Sequence, residues 1–169
     1  MEKNSLRFYK HSGIYTLYTK QTLPLSIEKA WEFFSNPRNL AKITPSSMSF
    51  DISSPILKDH CYQGQIISYK LSPFPGVKSN WVTEITAVNA PHFFVDEQRF
   101  GPYKMWHHEH RFTPCDDGIL MEDVVSYKLP GGFIGRALHN ILVKPKLRSI
   151  FTHRYKVLES IFPKTLPIT

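Results

Sequence analysis

Residues 133–162 constrain the fold more than any other stretch of the chain. Ile134, Leu138, Ile141, Leu142, Phe151, Tyr155, Leu158 and Phe162 recur mostly every three or four positions, the spacing of one face of a long amphipathic helix. Such a helix needs a partner to cover its stripe, and the segment before it is not helical. Strand-length runs at 48–53, 63–71, 77–89, 93–99, 105–114 and 119–128 alternate with breaks at Pro55, Gly64, 73–76, Pro91, Gly101-Pro102, 114–118 and 130–132. Short strands joined by such turns predict an antiparallel meander. One curved sheet wrapped around the terminal helix buries the helix stripe and the inner sheet face together. Pro145 is expected to kink that helix near its middle.

The N-terminal part completes the pattern. Residues 14–25, IYTLYTKQTLPL, have the β-branched and aromatic content of a strand. Ser26 then suits the cap of a helix carrying Ile27, Ala30, Trp31 and Phe34 at helical spacing. Lys29 stands where a capping box would have Glu or Gln, while Glu28 favours the positive helix end. Pro37 ends this helix, and NLAKI forms a second short one before Pro45. The prediction is an α+β fold: about seven curved antiparallel strands, two short helices after the first, and a long C-terminal helix. It divides into an N-terminal extension (1–13), a single domain (14–162) and a C-terminal tail (163–169).

Composition narrows the function. A chain of 169 residues, 41% apolar and 14% aromatic, builds one domain with a sizeable core. No run approaches the ~18 consecutive apolar residues of a membrane span, so no transmembrane segment is expected. The first residues lack the long apolar core of a secretory signal, and two cysteines, Cys61 and Cys115, do not make a disulfide scaffold. A reduced cytoplasmic protein with structural thiols is the expectation. The net charge of +7 permits weak attraction to anionic surfaces. No zinc finger, phosphate loop or recognition helix points to specific nucleic-acid binding. Lys144, Lys146, Arg148, Arg154 and Lys156 read as a solvated helix face.

Taken in this order, the chain resembles the START-like superfamily, also described as SRPBCC or Bet v 1-like, over roughly residues 14–160. The opening TKQTLPLSIEKAWEFFSNPRNLAKITP is similar to that superfamily's strand, helix and bend. VDEQRFGPYKMWHHEHRF, DVVSYKLPGGFIGRAL and FTHRY resemble a bacterial group often labelled cyclase/dehydrase-like or ligand-binding. The resemblance implies a helix-grip fold around a deep ligand cavity. It implies no reaction, and no dinucleotide-binding domain accompanies the chain.

GPYKMWHHEHRF, residues 101–112, concentrates the chemistry. On a strand, alternate side chains share a face. Trp106, His108, His110 and Phe112 form the row expected to face inward, with His107, Glu109, Arg111 and Thr113 outward. Asp123 lies in the apolar row Met121, Val125, Tyr127 of a neighbouring strand, and a buried carboxylate there requires a donor or a ligand. Either Asp96 or Glu97 joins it from the strand at 93–99. The candidate ligand-binding set is therefore Trp31, Tyr69, Trp81, Asp96, Glu97, Trp106, His108, His110, Phe112, Asp123, Tyr127, Leu138 and Leu142. Each apolar member serves equally well as ordinary core. Two histidines at i and i+2 reach one ion, but no third ligand at diagnostic spacing supports a metal, and none is assigned. No cofactor is assigned either. His108 or His110 paired with Asp123 suits general acid–base catalysis.

Three function classes follow. The first is binding of a small hydrophobic or amphiphilic organic molecule in an internal cavity with a polar patch. The second is a cyclase or dehydratase in which His108, His110 and Asp123 are catalytic. The third is a partner-binding or lipid-presenting module that uses a basic surface or an apolar cavity mouth.

Overall fold

The computed structural model describes residues 4–55, 58–74 and 76–163. Residues 164–169 of the expected C-terminal tail lie outside the described residues. Eight strands form one curved antiparallel sheet: β1 (Asn4–His11), β2 (Ile14–Leu23), β3 (Asp51–Ile52), β4 (Ile66–Phe74), β5 (Val77–Asn89), β6 (Phe93–Phe100), β7 (Met105–Cys115) and β8 (Gly118–Lys128). Their order across the sheet is β1-β2-β8-β7-β6-β5-β4-β3. Helix α1 (Ile27–Phe34) follows β2. At the end of the chain, α2 (Gly132–Leu138), a π-helical turn (His139–Val143) and α3 (Lys144–Ile161) make up the long helix that the sheet grips.

Two elements differ from the sequence expectation. Residues 4–11, read as part of an extension, pair with 14–21 as an edge strand and bring the sheet to eight strands. The run 48–53 contributes only Asp51–Ile52, because Ser46–Met48 winds into a 3-10 turn ending on Ser49 in the left-handed region.

The helices start and stop for local reasons. The Ser26 hydroxyl accepts from the Lys29 N–H, and Glu28 sits in the first turn of α1. Pro37 opens a 3-10 segment, Pro37–Ile43, capped by Asn36. Pro145 falls in the first turn of α3, where its missing N–H costs little. The chain before it widens into the π turn instead of continuing as α-helix, which accommodates a residue that cannot donate back to its preceding turn.

The interior holds two apolar clusters. One gathers Leu23, Ile43, Ile67, Phe94, Phe112, Met121 and Leu158. The other gathers Tyr15, Leu17, Val125, Tyr127, Leu147 and Phe151. Between them runs a polar belt. Thr19 and Gln21 lie between Leu17 and Leu23 on β2, Asp123 between Met121 and Val125 on β8, and Arg154 between Phe151 and Leu158 on α3. His108 and His110 continue the belt on β7, and all six are buried. A strict strand period of two carries the inner row from one cluster to the other. The polar residues are substitutions within that row rather than interruptions of it.

Candidate functional site

The belt ends in a bonded group of six side chains. His108 Nε2 lies 2.8 Å from Asp123 Oδ1, and His110 Nε2 lies 2.8 Å from Asp96 Oδ2. The other nitrogens complete a ring of contacts: His110 Nδ1 is 3.1 Å from Asp123 Oδ1, and His108 Nδ1 is 3.4 Å from Asp96 Oδ2. Arg154 donates from Nη1 to both Asp123 oxygens at 3.3 and 3.4 Å, and Thr19 Oγ1 donates to Oδ2. Sheet register brings these together: Asp96 is opposite His108 across β6 and β7, and His110 is opposite Asp123 across β7 and β8. The two imidazole centroids stand 3.7 Å apart, and His110 stacks on Phe94.

The protons of this group can be counted. Two imidazole nitrogens are hydrogen-bonded to carboxylate oxygens, and two neutral rings supply the two N–H donors these bonds need. A further proton on His110 would set positive charge 2.8 Å from Asp96 Oδ2 and 3.1 Å from Asp123 Oδ1. His108 then donates to Asp123 and keeps its lone pair on Nδ1, the nitrogen with the longest contact. With His110 protonated, Arg154 and His110 balance ionised Asp96 and Asp123 and the group is neutral as a whole. The electrostatics agree at each residue. Burial pulls the His110 pKa down, but hydrogen bonds to Asp123 and Asp96 outweigh it and leave the pKa raised. Burial and the neighbouring charge of His110 lower His108, and the carboxylates offset this only in part. Burial pushes Asp123 up, yet Arg154 and the two histidines hold it well below the ordinary carboxylate range. Asp96 is lowered in the same way, with the two imidazoles overcoming burial.

Asp96, His108 and His110 also offer one ligand atom each within 4.8 Å of one another, a spacing open to a cation. His110 Nε2 and Asp96 Oδ2 are hydrogen-bonded to each other, His108 Nδ1 is in no hydrogen bond among the described residues, and the Arg154 guanidinium beside Asp123 opposes further positive charge.

Above the group lies a pocket of about 410 Å³. Tyr69, Trp81, Asp96, Trp106, His108 and His110 line it from the sheet, and Leu138, Leu142, Phe151 and Arg154 from the helical side. Most of the remaining wall is apolar, including Phe33, Leu40, Ile43, Phe50, Ile67 and Ile85. Burial raises the Cys61 thiol on this wall to about 12, so it stays protonated and unreactive.

Several expected site residues lie elsewhere. Glu97 is on the opposite face of β6, bonded to His107 and Arg99, because the strand period sends Asp96 inward and Glu97 outward. Trp31 and Phe112 pack edge-to-face in the core rather than on the pocket wall. Tyr127 is fully buried, its hydroxyl 2.8 Å from His139 Nε2, beneath a Tyr15–His139 stack. Asp123 sits behind the histidines and Arg154 and reaches the pocket through them. Arg154 was read as part of a solvated face but is buried. Its position in the helical row of Leu147, Phe151 and Leu158 was the available signal.

No protein-family model and no curated protein matches the sequence. Solved structures share its architecture throughout. Protein Ms6760 from Mycobacterium smegmatis is 18% identical, with a TM-score of 0.63 over 93% of this chain and 98% of that one. Protein CV1439 from Chromobacterium violaceum is 13% identical, with a TM-score of 0.67 over 89% and 99%. Major latex-like protein 151 from Panax ginseng is 12% identical, with a TM-score of 0.65 over 90% and 99%. At these identities the likeness shows the fold: a Bet v 1-like helix-grip architecture. No helix among the described residues is long and apolar enough to cross a membrane.

Proposed function

We propose that the protein binds a small hydrophobic or amphiphilic organic molecule in the pocket, with the ligand's polar end against Asp96, His108 and His110. The observation that carries this is a buried, charge-balanced polar group at one end of a mainly apolar pocket of about 410 Å³. The free oxygen of Asp96 offers an acceptor on the wall, and the Tyr69 hydroxyl, without a partner among the described residues, offers a donor. Both suit a hydroxyl- or carbonyl-bearing molecule. Of the START-like groups, the bacterial ligand-binding one remains the best sequence resemblance. A reduced cytoplasmic setting, with Cys61 and Cys115 as free thiols, belongs to the same proposal.

Native mass spectrometry of freshly purified protein, followed by denaturing extraction, tests the proposal. A reproducible organic mass that disappears in a Trp81→Arg variant supports it. Protein that stays empty when challenged with a panel of aromatic and aliphatic amphiphiles, with unchanged Trp fluorescence, sinks it.

A second reading, acid–base catalysis, rests on one feature. His108 keeps an unprotonated Nδ1 beside the pocket while Asp123 holds the opposite nitrogen. Conversion of the extracted molecule, lost in His108→Gln, would make the protein an enzyme. Stoichiometric retention without conversion would make it a carrier.

A further inference from the structure

The outer end of the pocket has a chemistry that its walls do not need. The segment from α2 into the π turn places Phe133, Ile134, Leu138, Ile141 and Leu142 along one outward stripe, while His139 between them is buried. Phe133 and Ile141 are 72% and 71% exposed. Phe100 and Met105, from the β6–β7 hairpin, are exposed as well. Of the eleven strongly exposed large apolar side chains among the described residues, these two regions hold seven. They meet at the mouth. Pro102 and Tyr103 of the hairpin line the pocket together with Leu138 and Leu142, and the Lys104 N–H bonds the Lys128 carbonyl just before the loop into α2.

The charge is as uneven as the hydrophobicity. Residues 100–106 and 128–148 contain six basic residues, Lys104, Lys128, Arg136, Lys144, Lys146 and Arg148, and no aspartate or glutamate. The rest of the chain has fifteen basic against fourteen acidic residues, so nearly all of the net charge of +7 falls in the two segments that border the mouth.

We propose that this face docks on an anionic lipid bilayer. Protruding apolar side chains on segments that carry cations and no acids suit the acyl–headgroup boundary: the apolar stripe enters it and the cations meet the phosphates. Charge argues against the other occupants of an apolar face. A second copy would set the same cations against each other across a two-fold axis. A protein partner of mixed charge would leave them unmatched. Leu138 and Leu142 belong both to the stripe and to the pocket wall, so docking opens the pocket toward lipid. Docking stands independently of what the pocket holds, while exchange of a ligand between bilayer and pocket rests on the function proposed above.

Vesicle sedimentation with the full chain tests this, comparing phosphatidylcholine alone with phosphatidylcholine containing about a quarter phosphatidylglycerol. Partition onto the anionic vesicles should be at least about tenfold stronger at about 0.1 M salt and should fall steeply by about 0.5 M. Each cation removed should cost about fivefold, so a Lys104→Glu, Lys146→Glu double variant should lose more than about tenfold. Phe133→Asp with Ile141→Asp should lose a similar factor, and their exposure spares the core. Ile66→Asp, on half-exposed β4 surface away from the mouth, should bind as the parent does. Equal binding to both vesicle types overturns the proposal. So does absent binding accompanied by a dimer in sedimentation velocity that Ile141→Asp dissolves, or by retention of an added acidic protein. Native mass spectrometry of the Phe133/Ile141 variant separates the two claims: an occupied pocket without vesicle binding confirms that docking uses this stripe, and an empty one in protein that still docks removes only the pocket function.

Discussion

Arg154→Met is the most informative single change. The guanidinium is buried and its Nη1 lies 3.3 Å from Asp123 Oδ1. At that distance unit charges attract by about 5 kcal/mol at an effective dielectric of about 20. Removing one partner of a buried pair costs about 3–5 kcal/mol, because the other charge stays behind unpaired. A loss of this size is expected near pH 8, where the variant's remaining group carries one net negative charge. Protonating His108 would restore neutrality and set positive charge 3.4 Å from Asp96 Oδ2. Removing the Arg154 charge favours protonation of both imidazoles relative to the parent, so the native variant binds more proton than the native parent around neutral pH. A pKa raised in the native state adds stability that is complete below the unfolded value and lost as pH climbs through the native one. The variant's deficit relative to the parent thus narrows as pH falls from about 8.5 to about 6.5, by up to about 1.4 kcal/mol per pH unit. Urea unfolding of both proteins across that range measures it. A deficit below about 1 kcal/mol, or one that stays flat or widens on acidification, would refute the proton count. Asp123→Asn combined with Arg154→Met removes both charges and should be more stable than Arg154→Met alone.

Three further outcomes are expected. In the parent protein His110 titrates above, and His108 below, the ordinary imidazole value of about 6.5. Ring-proton NMR with His→Gln assignments reads the order, and a reversal contradicts the charge assignment. Phe112→Ala empties a site packed by Trp31, Phe34 and Phe94 and should cost about 3–5 kcal/mol in chemical unfolding. Because Phe112 is off the pocket wall, retained ligand should persist below the melting transition. A Cβ on Gly135 would lie 2.0 Å from the Pro130 carbonyl oxygen, so Gly135→Ala must push α2 off its loop. It should lower the thermal midpoint and speed ligand release, followed by stopped-flow Trp fluorescence.

The sheet was legible because its inner row keeps period two through most strands, and because Pro and Gly mark nearly every hairpin. β1 was missed since Asn4–His11 mixes charged, polar and aromatic residues, as an edge strand does when only one neighbour and one face constrain it. The two-residue β3 carries too little pattern to be told from the turn beside it. Within the site, alternation paired His108 with His110 and marked Asp123 as a buried carboxylate in need of a donor. The same alternation separates Asp96 from Glu97 only once the register of β6 is known, since one bulge would exchange them. Arg154 escaped because its sequence neighbours are basic, and charge was weighed ahead of helical phase. Trp31, Phe112 and Tyr127 illustrate the opposite limit: aromatic residues on an inward row fit core and pocket wall equally, and only packing decides.

The additional proton in the histidine pair has one more consequence. His108 and His110 differ in charge state but stand with ring centroids 3.7 Å apart and share the same two carboxylates. Moving a proton from His110 to His108 would carry positive charge across that 3.7 Å gap, against the electrostatic preference for His110. A guest that presents an acceptor to His108 would lower this cost, so the charge pattern at the polar end of the pocket depends on what the pocket holds.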